Sequence, residues 1–201
     1  MIRVLLAEDM DLIRGALVAL LDREPDLRVV AEVSAGDQVL PAALAHSPDV
    51  AVLDVGMPGI DGVEAAGRII ERLPECRVLI VTGSGTPETL RRALAAGAAG
   101  FMVKDAPPAE LAAAIRRVAA GERVIDAQVA ARALTQPPNP LTERETDVLR
   151  MAASGADPAE IASTLHLSRG TVRNYLGAIL TKLGARNRLD AVRIASEAGW
   201  L

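Results

Sequence analysis

The chain has 201 residues, half of them hydrophobic, a formal net charge of −4 and a single cysteine, Cys76. That length suits one large domain or two small ones. With no charge-free run of eighteen apolar residues, no targeting pattern at the N-terminus and no second cysteine for a disulfide, a soluble, cytoplasmic protein with no membrane partner is expected; the only aromatics, Phe101, Tyr175 and Trp200, also exclude a stacking surface for single-stranded nucleic acid.

From residue 1 to about 120 short apolar runs alternate with helical patterns. The runs Val4 to Ala7, Val29 to Val33, Val50 to Leu53, Val78 to Val81 and Phe101 to Val103 read as five strands. Between them, Leu12, Ile13, Ala16, Leu17 and Leu20, and later Leu111, Ala114, Ile115 and Val118, follow helical spacing. Continuous apolar strands separated by helices predict a doubly wound parallel sheet, covered on both faces. This α/β domain is expected over residues 1–120.

The segment 121–140 reads as a linker. A short helix can start at Asp126, but "TQPPNP" at 135–140 cannot continue one, because proline lacks a donor and restricts its predecessor. From 141 to 201 every segment is helical. Thr142 with Glu145 and Asp157 with Glu160 have capping-box spacing, Ser168 and Asn187 stand where N-caps belong, and Gly184 and Gly199 where helices should end. The result is an all-α unit of four short helices.

Its second and third helices, about 158–165 and from Ser168 onward, joined through His166 and Leu167, describe a helix-turn-helix. Ile161, Leu165, Val172, Leu176, Ile179 and Leu183 form its inward stripe, leaving Thr171, Arg173, Asn174, Gly177 and Ala178 outside. Between Ser168 and Arg193, six cations (Arg169, Arg173, Lys182, Arg186, Arg188 and Arg193) face one acid, Asp190. A local basic face inside an acidic protein is the expected footprint of phosphate-backbone binding.

The polar residues of the first half gather at carboxyl ends of strands: Glu8 and Asp9 after the first, Asp54 after the third, Thr82 at the fourth, Lys104 after the fifth. In an open α/β sheet that edge binds ligands, so these residues should converge. Three neighbouring carboxylates need compensating charge. A hard divalent cation, Mg²⁺, held by Glu8, Asp9, Asp54 and the Gly56 carbonyl, supplies it. Asp54 is then the candidate nucleophile toward phosphorus, with Lys104 and Thr82 on the phosphoryl oxygens. A magnesium-dependent phosphohydrolase shares this logic but would want a second acid two residues past the nucleophile, where Gly56 stands. A regulator that binds DNA without phosphorylation is the other alternative.

The motifs "LLAEDMD", "VLDVGMPGIDG", "VTGS" and "GFMVKDA" resemble the receiver domain of bacterial response regulators. "LTERE" and "LSRGTVRNYL…LTKLG" resemble the LuxR-type domain of the NarL/FixJ family. The resemblance implies a (βα)5 sheet in the order 2-1-3-4-5. It also implies phosphorylation of Asp54 by a sensor histidine kinase, movement of Thr82 toward the phosphoryl group and a Phe101 that rotates inward. Catalysis would be confined to the chain's own aspartyl phosphorylation and dephosphorylation.

By the same resemblance, Arg173, Asn174 and Gly177 are expected on groove-facing positions on DNA. Thr171 and Lys182 fall on phosphate-contacting ones, with Ser168 and Arg169 at the helix N-terminus facing phosphate. Gly177 departs from the family pattern, where a longer side chain is common, and leaves one base contact missing. Paired half-sites of double-stranded DNA would be bound by a homodimer formed on phosphorylation. Its interface is expected on helices near 87–96 and 108–119 with strand five, and the helix around Leu189 to Ser196 would pair on DNA.

Overall fold

The computed structural model of the chain describes residues 1–83, 85–135 and 138–201, without the side chain of Pro108. Ser84 of the "VTGS" motif, and Gln136 and Pro137 of the expected linker, lie outside them. Two compact units are formed, Met1–Leu134 and Thr135–Leu201.

In the first unit, strands and helices alternate: β1 (Ile2–Ala7), α1 (Asp11–Leu21), β2 (Leu27–Val33), α2 (Gly36–His46), β3 (Val50–Leu53), α3 (Gly62–Arg72), β4 (Arg77–Thr82), α4 (Pro87–Ala95), β5 (Gly100–Val103) and α5 (Pro108–Ala119). A sixth strand, β6 (Val124–Ile125), and a further helix, α6 (Ala127–Thr135), follow. All strand pairs are parallel and the order is β2-β1-β3-β4-β5-β6. The sheet therefore has one strand more than the five read from the sequence.

The two faces of the sheet carry separate cores, because alternate side chains of each strand point opposite ways. Leu5, Ala51, Leu53, Ile80 and Phe101 pack against α2, α3, α4 and Val129 of α6. Val4, Leu6, Val52, Leu79 and Met102 pack against α1 and α5, where Leu111, Ala114, Ile115 and Val118 are buried as their spacing predicts.

Helix α1 keeps Ile13, Leu17 and Leu20 of its expected stripe half-buried but departs from it at two positions. Leu12 is 85% exposed and Ala16 is exposed, while Leu17, Val18 and Leu21 face the sheet. Arg14 is half-buried, its guanidinium donating to the Glu8 carbonyl at 2.8 Å and pairing with exposed Asp11 on the same helix.

Strand β5, expected within a dimer interface, is not the sheet edge. β6 pairs with it through Gly100↔Val124 and Phe101↔Ile125. Asp126 then accepts from the Gln128 and Val129 amides at 2.9 Å, so the expected start of a short helix at Asp126 is its cap. A Cβ built at Gly85 would lie 2.4 Å from Val103 Cγ1 and 2.9 Å from Val129 Cγ2, so only glycine lets the loop after β4 meet α6 this closely.

The second unit holds α7 (Glu143–Ala153), α8 (Pro158–Thr164), α9 (Arg169–Leu183) and α10 (Arg188–Glu197). Both capping boxes form, Ser168 caps α9 by accepting from the Thr171 amide, Asn187 caps α10, and Gly184 closes α9 in the left-handed region at φ 60°. Leu149, Ile161, Val172 and Ile179 are fully buried at its centre, with Leu165, Leu176 and Leu183 against them. No described helix is long and apolar enough to cross a membrane.

Candidate functional site

The sheet brings the sequence-predicted residues of the first unit to one rim. Backbone bonds just past the strand ends hold them in line: the Glu8 amide donates to Val33 O at 3.1 Å, Asp54 to Ala7 O at 2.9 Å and Lys104 to Thr82 O at 2.8 Å. Helix α3 presses on this edge from one side. A Cβ at Gly62 would stand 1.9 Å from the Asp54 carbonyl oxygen, a distance no side chain survives.

Carboxylate oxygens of Glu8, Asp9 and Asp54 lie within 4.8 Å of one another. Glu8 is 1% exposed and Asp54 7%, whereas Asp9 faces solvent. The Lys104 ammonium bridges the two buried acids, 2.5 Å from Glu8 Oε2 and 3.1 Å from Asp54 Oδ2. Burial alone would lower the Lys104 pKa, but hydrogen bonds to Glu8 and Asp54 and their charges outweigh it and hold the pKa above the ordinary lysine value.

The other oxygens are spoken for by backbone donors: Asp54 Oδ1 accepts from the Val55 amide at 2.8 Å and Glu8 Oε1 from the Met10 amide at 3.2 Å. Three carboxylates and one ammonium still leave two uncompensated negative charges. All the side-chain donors are oxygens. The set fits a hard divalent cation and offers nothing to a soft one. Gly56 lies beside this site: a Cβ built on it would stand in ordinary contact with Asp54 Oδ2, at 3.6 Å.

Thr82 is buried at the end of β4, and Phe101 is fully buried in the core face shared with α4 and α6. An apolar groove of about 350 Å³ opens beside Lys104, lined by Ile13, Leu17 and Leu20 of α1 and by Met102, Pro107 and Leu111. The sequence reading missed Gly62 and Arg14. Gly62 carries a signal in hindsight, a glycine directly after the α3 cap Asp61; Arg14 carries none, because its acceptor is a backbone carbonyl.

In the second unit the basic face is smaller than the sequence suggests. Lys182 Nζ lies 2.6 Å from Glu145 Oε2. Arg186 and Arg193 both pair with Asp190, Arg193 also with Glu197, and Arg188 donates to the carbonyls of Ala152 and Ala156 at 2.6 and 2.7 Å. The two arginines hold the Asp190 carboxyl well below the usual range. Burial would raise the Glu145 pKa, but the Lys182 ammonium and the Thr142 donors outweigh it and lower it.

Charges close in sequence thus neutralise one another or serve as internal struts. What remains outward on α9 is Arg173 and Asn174, both exposed and with side chains that make no hydrogen bond or ion pair among the described residues, together with Arg169 at its first turn, Gly170 and Gly177. Ser168 Oγ and Thr171 Oγ1 lie 2.8 Å apart at the N-terminus of α9, so these two expected phosphate ligands are held together.

Comparison with known proteins agrees with both units. The family model for the response regulator receiver domain matches residues 4–116, and that for bacterial regulatory proteins of the luxR family matches residues 139–195. The chain is 42% identical to the response regulator RamR of Streptomyces coelicolor, covering 100% of this chain and 98% of RamR. It is 39% identical to the transcriptional regulatory protein DesR of Bacillus subtilis, covering 100% and 99% respectively. The crystal structure of ChrA, a response regulator of a heme-sensing two-component system, aligns over 100% of this chain and 98% of its own with a TM-score of 0.59 and 32% identity. An acidic rim closed by a lysine in one unit and a capped helix-turn-helix in the other are thus the two halves of one architecture, and the chain belongs to the response regulators that join a receiver domain to a LuxR-type regulatory domain.

Proposed function

We propose that this chain is a phosphorylation-activated transcription regulator, in which a sensor histidine kinase phosphorylates Asp54 and the modified chain binds double-stranded DNA as a homodimer. One observation carries the reading: Asp54 shares a rim with two further acids and an ammonium whose charges leave room for a divalent cation and a phosphoryl group. On this reading the receiver is residues 1–120, the linker 121–140 with β6 and α6 in its first part, and the DNA-binding domain 141–201. The same reading makes the protein cytoplasmic.

Mg²⁺ held by Glu8, Asp9, Asp54 and the Gly56 carbonyl would supply charge neutralisation at the phosphoryl oxygens. The chain does the rest. An Asp54 oxygen attacks phosphorus, the bond from phosphorus to the donor imidazole nitrogen breaks, and its electron pair stays on that nitrogen. Lys104 exchanges one carboxylate for a phosphoryl oxygen, and the Thr82 hydroxyl donates to another. The groove between α1 and α5 opens beside Lys104, and its apolar lining suits an apolar helix of the donor kinase.

The switch then runs through the rear of the site. Thr82 ends β4, and a Cβ built at Gly85 beyond it would meet both Val103 and Val129 of α6, while Phe101 lies in the core face packed on α4 and α6. A shift of Thr82 toward the phosphoryl group therefore acts directly on α4, β5 and α6. Helices α4 and α5 with β5 carry the phosphorylation-dependent dimer contact, and α10, with exposed Leu189, pairs the second units on DNA.

In the major groove, Arg173 and Asn174 address base edges while Ser168, Arg169 and Thr171 address phosphate. Gly177 faces the same groove. Lys182 reaches phosphate only by leaving Glu145. A difference of about 1–3 kcal/mol in dimer affinity between the two states is enough for the switch. The test is to titrate operator duplex with the chain before and after treatment with Mg²⁺ and acetyl phosphate. Tighter binding and a dimer in the treated sample support the reading; identical affinity and mass in both samples refute it.

A further inference from the structure

Gly177 stands in the middle of α9, one turn past Arg173 and Asn174 and on the same outward face. Glycine in a helix interior loses stability relative to alanine, because it forfeits more chain entropy on folding. Nothing within the chain requires it here. Gly177 is absent from the residues with positive φ, and a Cβ built on it meets no atom within 4 Å apart from its own helix. Gly62 and Gly85 are different, since a Cβ there would collide with Asp54 or with Val103.

A glycine that packing does not need is explained when something outside the chain approaches the backbone. Its neighbours indicate what. Arg173 and Asn174 are the residue types that bind guanine and adenine edges, and both project from this face without an internal partner among the described residues. On the far side, Thr181 Oγ1 donates to the Gly177 carbonyl at 3.1 Å, so that hydroxyl hydrogen is used within the helix. The surface between these side chains drops to a Cα, leaving an apolar notch one methyl group deep. In the major groove the apolar group that protrudes from a base pair is the C5-methyl of thymine.

We propose that Gly177 is a specificity-determining position, its notch receiving a thymine methyl beside the base pairs addressed by Arg173 and Asn174. The missing side chain at this position is then a seat for a base and not a lost contact. This rests on the reading of α9 as the groove-binding helix.

The experiment uses the full-length chain treated with Mg²⁺ and acetyl phosphate, and a duplex selected by it from a random-sequence library. Each thymine of the selected site is replaced in turn by deoxyuridine, which lacks only the methyl group. Affinity is measured for the unaltered chain and for Gly177→Ala, together with the thermal midpoint of each. In one thymine position per half-site, loss of the methyl should weaken the unaltered chain about tenfold, the scale of one methyl in a fitted pocket. Gly177→Ala should bind the thymine duplex about tenfold more weakly and recover on the deoxyuridine duplex, with a midpoint equal or higher.

Equal binding of the thymine duplex by both proteins would overturn the proposal. So would a loss in Gly177→Ala that is the same on every duplex. If the unaltered chain selects no sequence over random DNA, the DNA-binding reading fails as well, a result distinct from the other two.

Discussion

Lys104 Nζ lies 3.1 Å from Asp54 Oδ2, and the two residues reach each other from the ends of strands β5 and β3, which are not neighbours in the sheet. β4 runs between them and contributes Thr82, whose carbonyl accepts the Lys104 amide. The ammonium is held closer still to Glu8, at 2.5 Å. It offsets one of the rim's negative charges before any phosphoryl group arrives, which makes it both a structural cation and a ligand in waiting.

Replacing it separates those roles. Lys104→Met leaves Glu8 buried without its charge partner, and breaking a buried pair from one side costs roughly 3 kcal/mol. Thermal unfolding in chelator should show that loss. Millimolar Mg²⁺ should recover more stability in the variant than in the unaltered chain, because the variant's rim carries one more uncompensated negative charge.

Gly62→Ala tests the press of α3 on the rim. With a Cβ 1.9 Å from the Asp54 carbonyl oxygen, either α3 or the end of β3 must move. We expect a loss of about 2–3 kcal/mol in stability. Phosphorylation by acetyl phosphate should also slow at a temperature where the variant is still folded, as followed by intact mass.

The groove beside Lys104 gives a test with two donors. Ile13→Glu places a charge in its apolar lining without touching the acidic rim. Phosphotransfer from a kinase that phosphorylates the unaltered chain should fall about tenfold or more, the cost of desolvating a charge at an interface. Phosphorylation by acetyl phosphate should stay within twofold, because so small a donor makes no contact with the groove.

Acid should weaken the second unit through Glu145. Its folded-state pKa is lowered from 4.5, so its contribution is complete above about pH 4.5 and is lost as pH falls through the folded value. Glu145→Gln keeps a capping-box residue but not the charge beside Lys182. The difference in stability between the two proteins should be largest near neutrality and shrink below pH 4.5 in denaturant titrations.

The elements legible in the sequence were those fixed by local rules. The apolar runs that became β1 to β5, the Thr142 and Asp157 capping boxes, the Ser168 and Asn187 caps and the closing Gly184 each depend on neighbours within four residues, and each stands where expected. The rim residues were legible because strand ends in a parallel sheet converge whatever the loops do.

What escaped depends on partners distant in sequence. β6 is two residues long and exists only because β5 offers it an edge. The Lys182 ion pair spans 37 positions and the Arg188 bond to Ala152 spans 36, so a count of local charge could not show that these cations were already committed. Arg14 of α1 is bonded to a backbone carbonyl six residues back, and no side-chain pattern encodes that.

The central claim is that Asp54 carries the phosphoryl group, and mapping it is the most direct measurement. The full-length chain is incubated with Mg²⁺ and acetyl phosphate, and intact mass and peptide mapping after borohydride reduction locate the acyl phosphate. The account predicts a single modification on the peptide containing Asp54, absent from Asp54→Asn and absent when Mg²⁺ is chelated. A modification of equal extent in Asp54→Asn, or one found on Glu8 or Asp9 instead, would contradict it.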